Sequence, residues 1–350
     1  MECFKEEDDC RDTHVATQLK IGSIVIILVA CVLGVCMPLA GRYVSAFKAE
    51  SNLFFVMKSF AAGVILATAY VHMLPDSFEA LSNPCLSENP WAKFPFAGFI
   101  AMVASLFVLM IDFFATTYYE NKHQKGVGTD GAQAGNDPQK GKLTQINVHV
   151  GDGSEHLDHA DPAHLSTVSV HAHAHGPHSH AIMLLEEESS QLRHRVISQV
   201  LELGIVAHSV IIGITLGTSE SPCTIRPLLA ALTFHQFFEG TALGSCIAQA
   251  GFKTRASVLM AFFFSVTTPL GIGIGMGIAS TYNENSPKAL IVQGLFDSMS
   301  AGILLYMALV DLIAADFLSK RLRTNVRLQL YTYTALFLGA GAMSVIAYWA

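Results

Sequence analysis

Runs of about twenty apolar residues recur along this chain of 350 residues, and no other feature constrains its folding as much. A helix of that length rises about 30 Å, the thickness of a bilayer's hydrocarbon core. Eight runs stand at about 20–41, 53–74, 96–118, 197–217, 228–249, 257–280, 289–313 and 329–349. They replace the two or three soluble domains that length alone suggests with an all-α integral membrane protein of eight transmembrane helices. Charged residues make up 14% of the chain, against roughly 25% in a soluble domain, and the mean hydropathy is +0.43. A net charge of −7 suits neither a nucleic-acid partner nor a disordered scaffold, and seven scattered cysteines are too few for a disulfide framework. The first run comes after an acidic leader, Glu6-Glu7-Asp8-Asp9, whereas a cleavable signal has a basic leader and a shorter apolar core. It is therefore read as retained.

Basic residues set the orientation. Fourteen Lys/Arg lie in the loops after spans one, three, five and seven, and six lie at the termini and in the other loops. The richer side is expected to be cytosolic, with both termini extracellular or lumenal and the plasma membrane as the expected location. Lys58, near the cytosolic start of span two, is expected to snorkel to the interface. The chain then divides into an acidic outer terminus (1–19), helices one to three (20–118), a cytosolic loop (119–195) and helices four to eight (196–350). The loop is polar and rich in glycine and histidine, and reads as mostly disordered, with a short amphipathic helix over 184–195. It contains the alternating tract His171, His173, His175, His178 and His180. That pattern suits weak, fast-exchanging binding of Zn²⁺ or a similar ion, in a regulatory or buffering role.

Ionisable residues inside the spans are costly and normally face a partner or a water path. They are His72, Asp112, Glu202, His208, His235, Glu239, Asp297 and Asp311, and apart from Lys58 no basic residue joins them. Carboxylates with neutral imidazoles favour cations. His235 and Glu239 are four apart on one helix face, and the short link from Thr218 to Arg226 makes spans four and five antiparallel neighbours, bringing His208 to similar depth. Two imidazoles and a carboxylate suit Zn²⁺, Fe²⁺ and related ions. Ser209 and Gln236 stand beside them as weak ligands or interhelical hydrogen-bonding residues. His72, Asp76, Glu79 and Asp297 read as entrance or path residues, and Asp112, Glu202 and Asp311 as exit residues. Span six carries Gly271, Gly273, Gly275 and Gly277, overlapping Gly-x-x-x-Gly spacings that suit close helix packing. Cys3, Cys10, Cys85 and Cys223 share the outer side, where disulfides can form, while Cys31, Cys36 and Cys246 read as packing residues inside spans.

The stretches His72-Met-Leu-Pro-Asp76, His208-Ser209-Val-Ile-Ile-Gly213 and His235-Gln236-Phe-Phe-Glu239-Gly240, with eight spans and a His-rich loop, resemble the Zrt-, Irt-like protein (ZIP) family of metal transporters, most closely its plant branch. The resemblance implies import of a divalent metal into the cytosol. It also implies an inverted repeat in which helices four and five lie between two three-helix halves (3+2+3). By motif position it makes His208, His235 and Glu239 the primary metal ligands. Some members hold two metals, with an acid four residues after the span-four histidine. Here that position is Ile212, and span six offers Ser265, Thr267 and Thr268 rather than a carboxylate, which points to a single-ion core.

The expected function is transport of Zn²⁺, with Fe²⁺, Mn²⁺ and Cd²⁺ as further candidates. The metal is substrate, no cofactor is expected, and the partners are divalent ions and the lipid bilayer. A homodimer is compatible with the chain, and nucleic acid is not expected. Two alternatives stand beside it: a membrane-embedded zinc hydrolase, with His72, His208 and His235 around the metal and Glu239 as base, and a metal-sensing receptor that uses the histidine loop as its sensor. The hydrolase lacks a His-Glu-x-x-His motif, and a receptor would leave the mid-membrane ligands idle.

Overall fold

The computed structural model describes residues 10–42, 51–130, 178–280 and 286–349, and these residues are helical with no strand among them. Eight long helices run in order: α1 Thr13–Leu39, α2 Asn52–Leu81, α3 Phe96–Asp130, α4 His178–Thr218, α5 Pro222–Gln249, α6 Thr254–Ile278, α7 Pro287–Phe317 and α8 Val326–Ala347. Local chemistry sets several starts. The Asp12 carboxylate accepts from the His14 and Val15 amides at 3.0 Å, Ser51 accepts from Phe54, Ser286 from Ala289 and Asn325 from Leu328. Pro222 and Pro287 occupy first-turn positions, where the missing N–H is harmless.

The chain divides into two units. Residues 120–187 form one. Its described parts are the far end of α3, to Asp130, and the near end of α4, from His178. Helix thus covers both flanks of the segment expected to be mostly disordered, including Gly126 to Asp130, where the sequence reads as linker. His178 and His180 fall at the start of α4, whereas His171, His173 and His175 lie outside the described residues, as do the Cys3 position and the acidic leader.

The other unit, residues 1–119 and 188–350, carries the membrane-length helices. Seven of the eight are long and apolar enough by composition to cross a bilayer. The exception is α5, 28 residues long but interrupted by Thr233, His235, Gln236, Glu239, Thr241 and Ser245. These residues are compatible with a spanning helix because α5 is packed on several sides: His235, Gln236, Glu239 and the run from Gly240 to Ile247 are buried. Outer helices show the opposite trend. The apolar windows of α3 and α8 are each 22% buried, and side chains such as Phe107, Phe113 and Phe337 face outward.

Glycines set the closest helix crossings. A methyl group on Gly34 of α1 would fall on the Phe237 carbonyl of α5, and one on Gly244 of α5 on the Val35 carbonyl of α1. The crossing of α6 with α4 has the same form, with Gly271 against Val210 and Gly213, and Gly275 against Ile214 and Gly217. A second pair of crossings is alike: Gly63 and Gly339 join α2 to α8, and Gly302 brings α7 onto Ala101 of α3. Thus α1 meets α5 as α6 meets α4, and α2 meets α8 as α7 meets α3. Both α2 and α7 also contain a wide π-type stretch, Thr68–Met73 and Met307–Ala314. These paired relations are those of a 3+2+3 inverted repeat. The expected glycine stripe of α6 is only half used, since Gly273 and Gly277 face open space.

On the side of the termini, Cys10 and Cys223 form a disulfide, the Arg11 guanidinium pairs with Glu220, and the Asp12 amide donates to the Glu220 carbonyl. The segment before α1 is thereby tied to the α4–α5 connection. Cys31 and Cys246 are buried as expected, but Cys36 is on the exposed face of α1.

Gly271→Val should force α6 away from α4, costing about 1–3 kcal/mol by overpacking, whereas Gly273→Val should leave stability near that of the unmodified chain. Thermal unfolding of the two variants in the same detergent provides the comparison.

Candidate metal centre

Four helices bring ionisable side chains to one buried region. His208 comes from α4, His235 and Glu239 from α5, His72 from the π-type stretch of α2, and Asp297 from α7. All are buried, His235 and Glu239 completely. A π-type turn inserts an extra residue into the helix and rotates the turns beyond it. His72 lies within the irregular stretch, and the regular helix resumes at Leu74.

The three imidazoles form a nearly equilateral triangle, with ring centroids 5.9 Å (His72–His208), 6.0 Å (His72–His235) and 5.9 Å (His208–His235) apart. With Zn–N bonds of about 2.0–2.1 Å, three histidines on one tetrahedral ion would put their centroids about 5–5.5 Å apart. The triangle is slightly wider, and among the described residues no group of three or more potential ligands is closed to coordination distance. A contraction of under about 1 Å per pair would close it.

Hydrogen bonding separates scaffold from free donor atoms. His72 Nδ1 lies 3.2 Å from Asp76 Oδ2, leaving Nε2 buried and without a partner. His208 Nδ1 lies 3.5 Å from Asp297 Oδ1, at the limit of hydrogen-bonding distance, and neither ring nitrogen of His208 makes a hydrogen bond. His235 has the Ala231 carbonyl one turn behind it, but neither ring nitrogen makes a bond of normal geometry. Both oxygens of Glu239 are also buried and unpartnered. Buried polar atoms are nearly always satisfied, because each orphan costs a desolvation penalty of about 1–3 kcal/mol. Several together, all Lewis bases, form a set that a cation would satisfy at once. Asp76 and Asp297 each face the Nδ1 side of one imidazole of the triangle.

Ser209 and Gln236 are adjacent but engaged elsewhere. Gln236 Nε2 donates to Ser209 Oγ at 2.8 Å and to Thr268 Oγ1, and Cys31 Sγ lies 4.0 Å from Gln236 Oε1. One amide thus links α1, α4, α5 and α6 beside the histidines. Of the remaining span-six hydroxyls, Ser265 donates to the Ala261 carbonyl and Thr267 to that of Phe264, while Ile212 is apolar and buried.

The path residues separate into two ends. Asp76 is half-buried and Glu79 exposed, on the last turns of α2. Glu202 and Asp112 are half-buried and Asp311 is buried, and the Tyr306 hydroxyl donates to Asp112 Oδ2 at 3.2 Å. Glu202 stands six residues before His208 on α4, and Asp311 fourteen after Asp297 on α7. Those separations are about 9 and 21 Å of helix, which sets both acids away from the level of the triangle.

Lys58 departs from expectation. It is 2% exposed, its Nζ 2.9 Å from Asp316 Oδ1 and 3.4 Å from Gln249 Oε1, so it is a buried ion pair and does not snorkel. Asp316 is not among the residues that the sequence singles out. The available signal was a lysine and an acid at the same end of spans two and seven.

A multi-pass helical bundle with a buried cluster of imidazole and carboxylate donors is the architecture of a membrane protein that handles metal cations. The ZIP zinc transporter family model matches residues 17–347, so nearly the whole chain belongs to that family. The protein is accordingly a multi-pass membrane transporter of divalent metal ions and not an enzyme, which removes the hydrolase reading. It is 48% identical to the Fe(2+) transport protein 3, chloroplastic, of Arabidopsis thaliana, over 99% of this chain and 88% of that one. It is 51% identical to zinc transporter 10 of Oryza sativa subsp. japonica (85% and 78% covered) and 49% identical to zinc transporter 9 of that organism (100% and 93%).

Gln236→Leu would leave the Ser209 and Thr268 hydroxyls without their shared partner, for an expected loss of about 1–3 kcal/mol. A lower thermal midpoint in detergent is the readout, and an unchanged midpoint would show that the amide does not hold the four helices together.

Proposed function

We propose that the chain carries Zn²⁺, with Fe²⁺, Mn²⁺ and Cd²⁺ as lesser substrates, into the cytosol through the centre formed by His72, His208, His235 and Glu239. The observation that carries this reading is the histidine triangle with sides of 5.9–6.0 Å, whose ring nitrogens are unpartnered save His72 Nδ1, beside the equally unpartnered Glu239. Three neutral imidazoles and one carboxylate make a borderline, four-coordinate donor set, which suits Zn²⁺ and first-row neighbours better than Mg²⁺ or Ca²⁺.

The distribution of charge supports a cation route. Glu239 stands one turn from His235, Asp297 beside His208 and Asp76 beside His72, and Lys58 is fourteen residues away along α2, about 21 Å. A divalent cation entering from the Asp76 and Glu79 end meets carboxylates before it meets imidazoles. Asp297 and Asp76 act through the histidines they face. A single-ion core fits best, because Ile212 offers no donor and the hydroxyls of Ser265, Thr267 and Thr268 are used in hydrogen bonds. The excess of lysine and arginine in the loops after helices one, three, five and seven supports a cytosolic face there and both termini outside. Uptake at the plasma membrane is the proposed setting. Since one relative's name places it in the chloroplast, fluorescence microscopy of the tagged chain decides between that membrane and an organelle.

Radioactive zinc uptake in cells lacking their own zinc importers tests the ligand set. At equal surface expression, His208→Ala, His235→Ala and Glu239→Ala should each reduce initial uptake at least about tenfold, and Asp297→Asn should weaken zinc affinity about 10- to 100-fold with little loss of stability. Normal transport by Glu239→Ala would show that the ligand set is wrong. Deleting His171 to His180 should leave initial uptake intact if that tract is regulatory.

A further inference from the structure

The helices that carry the centre also carry a second polar cluster further along. From the centre, α2 leads back fourteen residues from His72 to Lys58, α5 leads on ten residues from Glu239 to Gln249, and α7 leads on nineteen from Asp297 to Asp316. Those separations amount to about 21, 15 and 28 Å of helix. All lead to the end away from the chain termini, which the proposed orientation makes cytosolic. There the Lys58 ammonium meets Asp316 Oδ1 at 2.9 Å and Gln249 Oε1 at 3.4 Å. Asp311, 3% exposed on the π-type stretch of α7, and Cys246, one turn before Gln249, lie within electrostatic range of Lys58.

Two properties of this cluster go beyond packing. A buried ion pair is rarely worth more to stability than a well-packed apolar pair, yet three helices converge on this one. Asp316 Oδ2 is also buried with no hydrogen-bond partner, although Oδ1 of the same carboxylate is paired. Lys58 thus pairs one oxygen of the Asp316 carboxylate and leaves the other without a partner. That cluster attracts a further cation, and a divalent ion competes with an ammonium for carboxylate oxygen through higher charge and direct coordination.

We propose, building on the metal route described above, that Lys58 closes the cytosolic end of that route, and that a departing divalent ion takes the place of its ammonium on the Asp316 carboxylate. The ammonium is a tethered stand-in for the cargo. It holds α2, α5 and α7 together while the route is closed, and the arriving ion both repels it and neutralises the carboxylates it leaves. Gln249 supplies the second acceptor that keeps the ammonium in place. The route then opens in response to cargo, with no nucleotide involved.

The buried Cys246 thiol reports the state of this gate. In the full chain with Cys31→Ala and Cys36→Ala, a membrane-impermeant methanethiosulfonate applied to the cytosolic face of inside-out vesicles should modify Cys246 slowly, and faster when zinc is present. Lys58→Met should speed labelling about tenfold without zinc, and Lys58→Arg should keep it slow. In proteoliposomes, Asp316→Asn should lower zinc flux about tenfold, and so should Lys58→Met/Asp316→Leu, which removes both charges and so avoids an unpaired buried ion. Labelling of Lys58→Met at the unmodified rate would overturn the gate. Unmodified flux in the double variant would overturn the exchange on Asp316 and make the pair purely structural. The absence of zinc flux from the unmodified chain would instead count against the transport reading, while the labelling rates would still decide whether Lys58 closes the route.

Discussion

Placing three imidazoles and the Glu239 carboxylate together in a low-dielectric interior is the constraint on which the rest of this structure depends. These groups do not satisfy one another: the ring nitrogens of His208 and His235 and both oxygens of Glu239 make no hydrogen bond. In most proteins such an arrangement would be eliminated as a cost without return. Here it persists in a chain of a metal-transporter family, whose cargo is a cation. Asp76 is committed to His72 and Asp297 stands beside His208, while Nε2 of both rings remains without a partner.

That constraint needs helices close enough to bring these side chains together from several directions. Small residues provide the closeness. Gly34 and Gly244 let α1 and α5 meet backbone to backbone, and Gly213 with Gly271 does the same for α4 and α6. The helices bearing His208, His235 and Glu239 are thus each backed by a tightly seated neighbour. Gln236 then links all four through one amide beside the rings. Hydrogen bonds beside the centre, rather than within it, hold the geometry.

The bundle was legible in the sequence because crossing a bilayer imposes a length and a hydropathy that few other folds share. The approach of His208 to His235 was legible because a short link makes spans four and five antiparallel neighbours. Other features escaped for physical reasons. Span five was read at 228–249, but the burial of its polar side chains on several sides depends on neighbours that one segment cannot reveal. The π-type stretches in α2 and α7 carry no signal in the spacing of apolar residues. Lys58 looked like a snorkelling residue because a lysine near a span end usually is one, and its partner stands 258 positions away. The alternate glycines of α6 look alike in sequence, yet only Gly271 and Gly275 meet another helix.

By itself the sequence determined the all-helical membrane architecture, the excess of acids over bases inside it, and the types of donor atom at its middle, because these arise from composition and from spacing within single helices. Tertiary structure decided which donors converge and which are occupied. It brought His72 into the triangle, engaged Ser209 and Gln236 with one another, set Asp297 behind His208, and buried Lys58 against Asp316. The reason is geometric. Convergence of α2, α4, α5 and α7 is set by crossings between residues far apart in the chain, and only the packed bundle determines which polar atoms find partners and which do not.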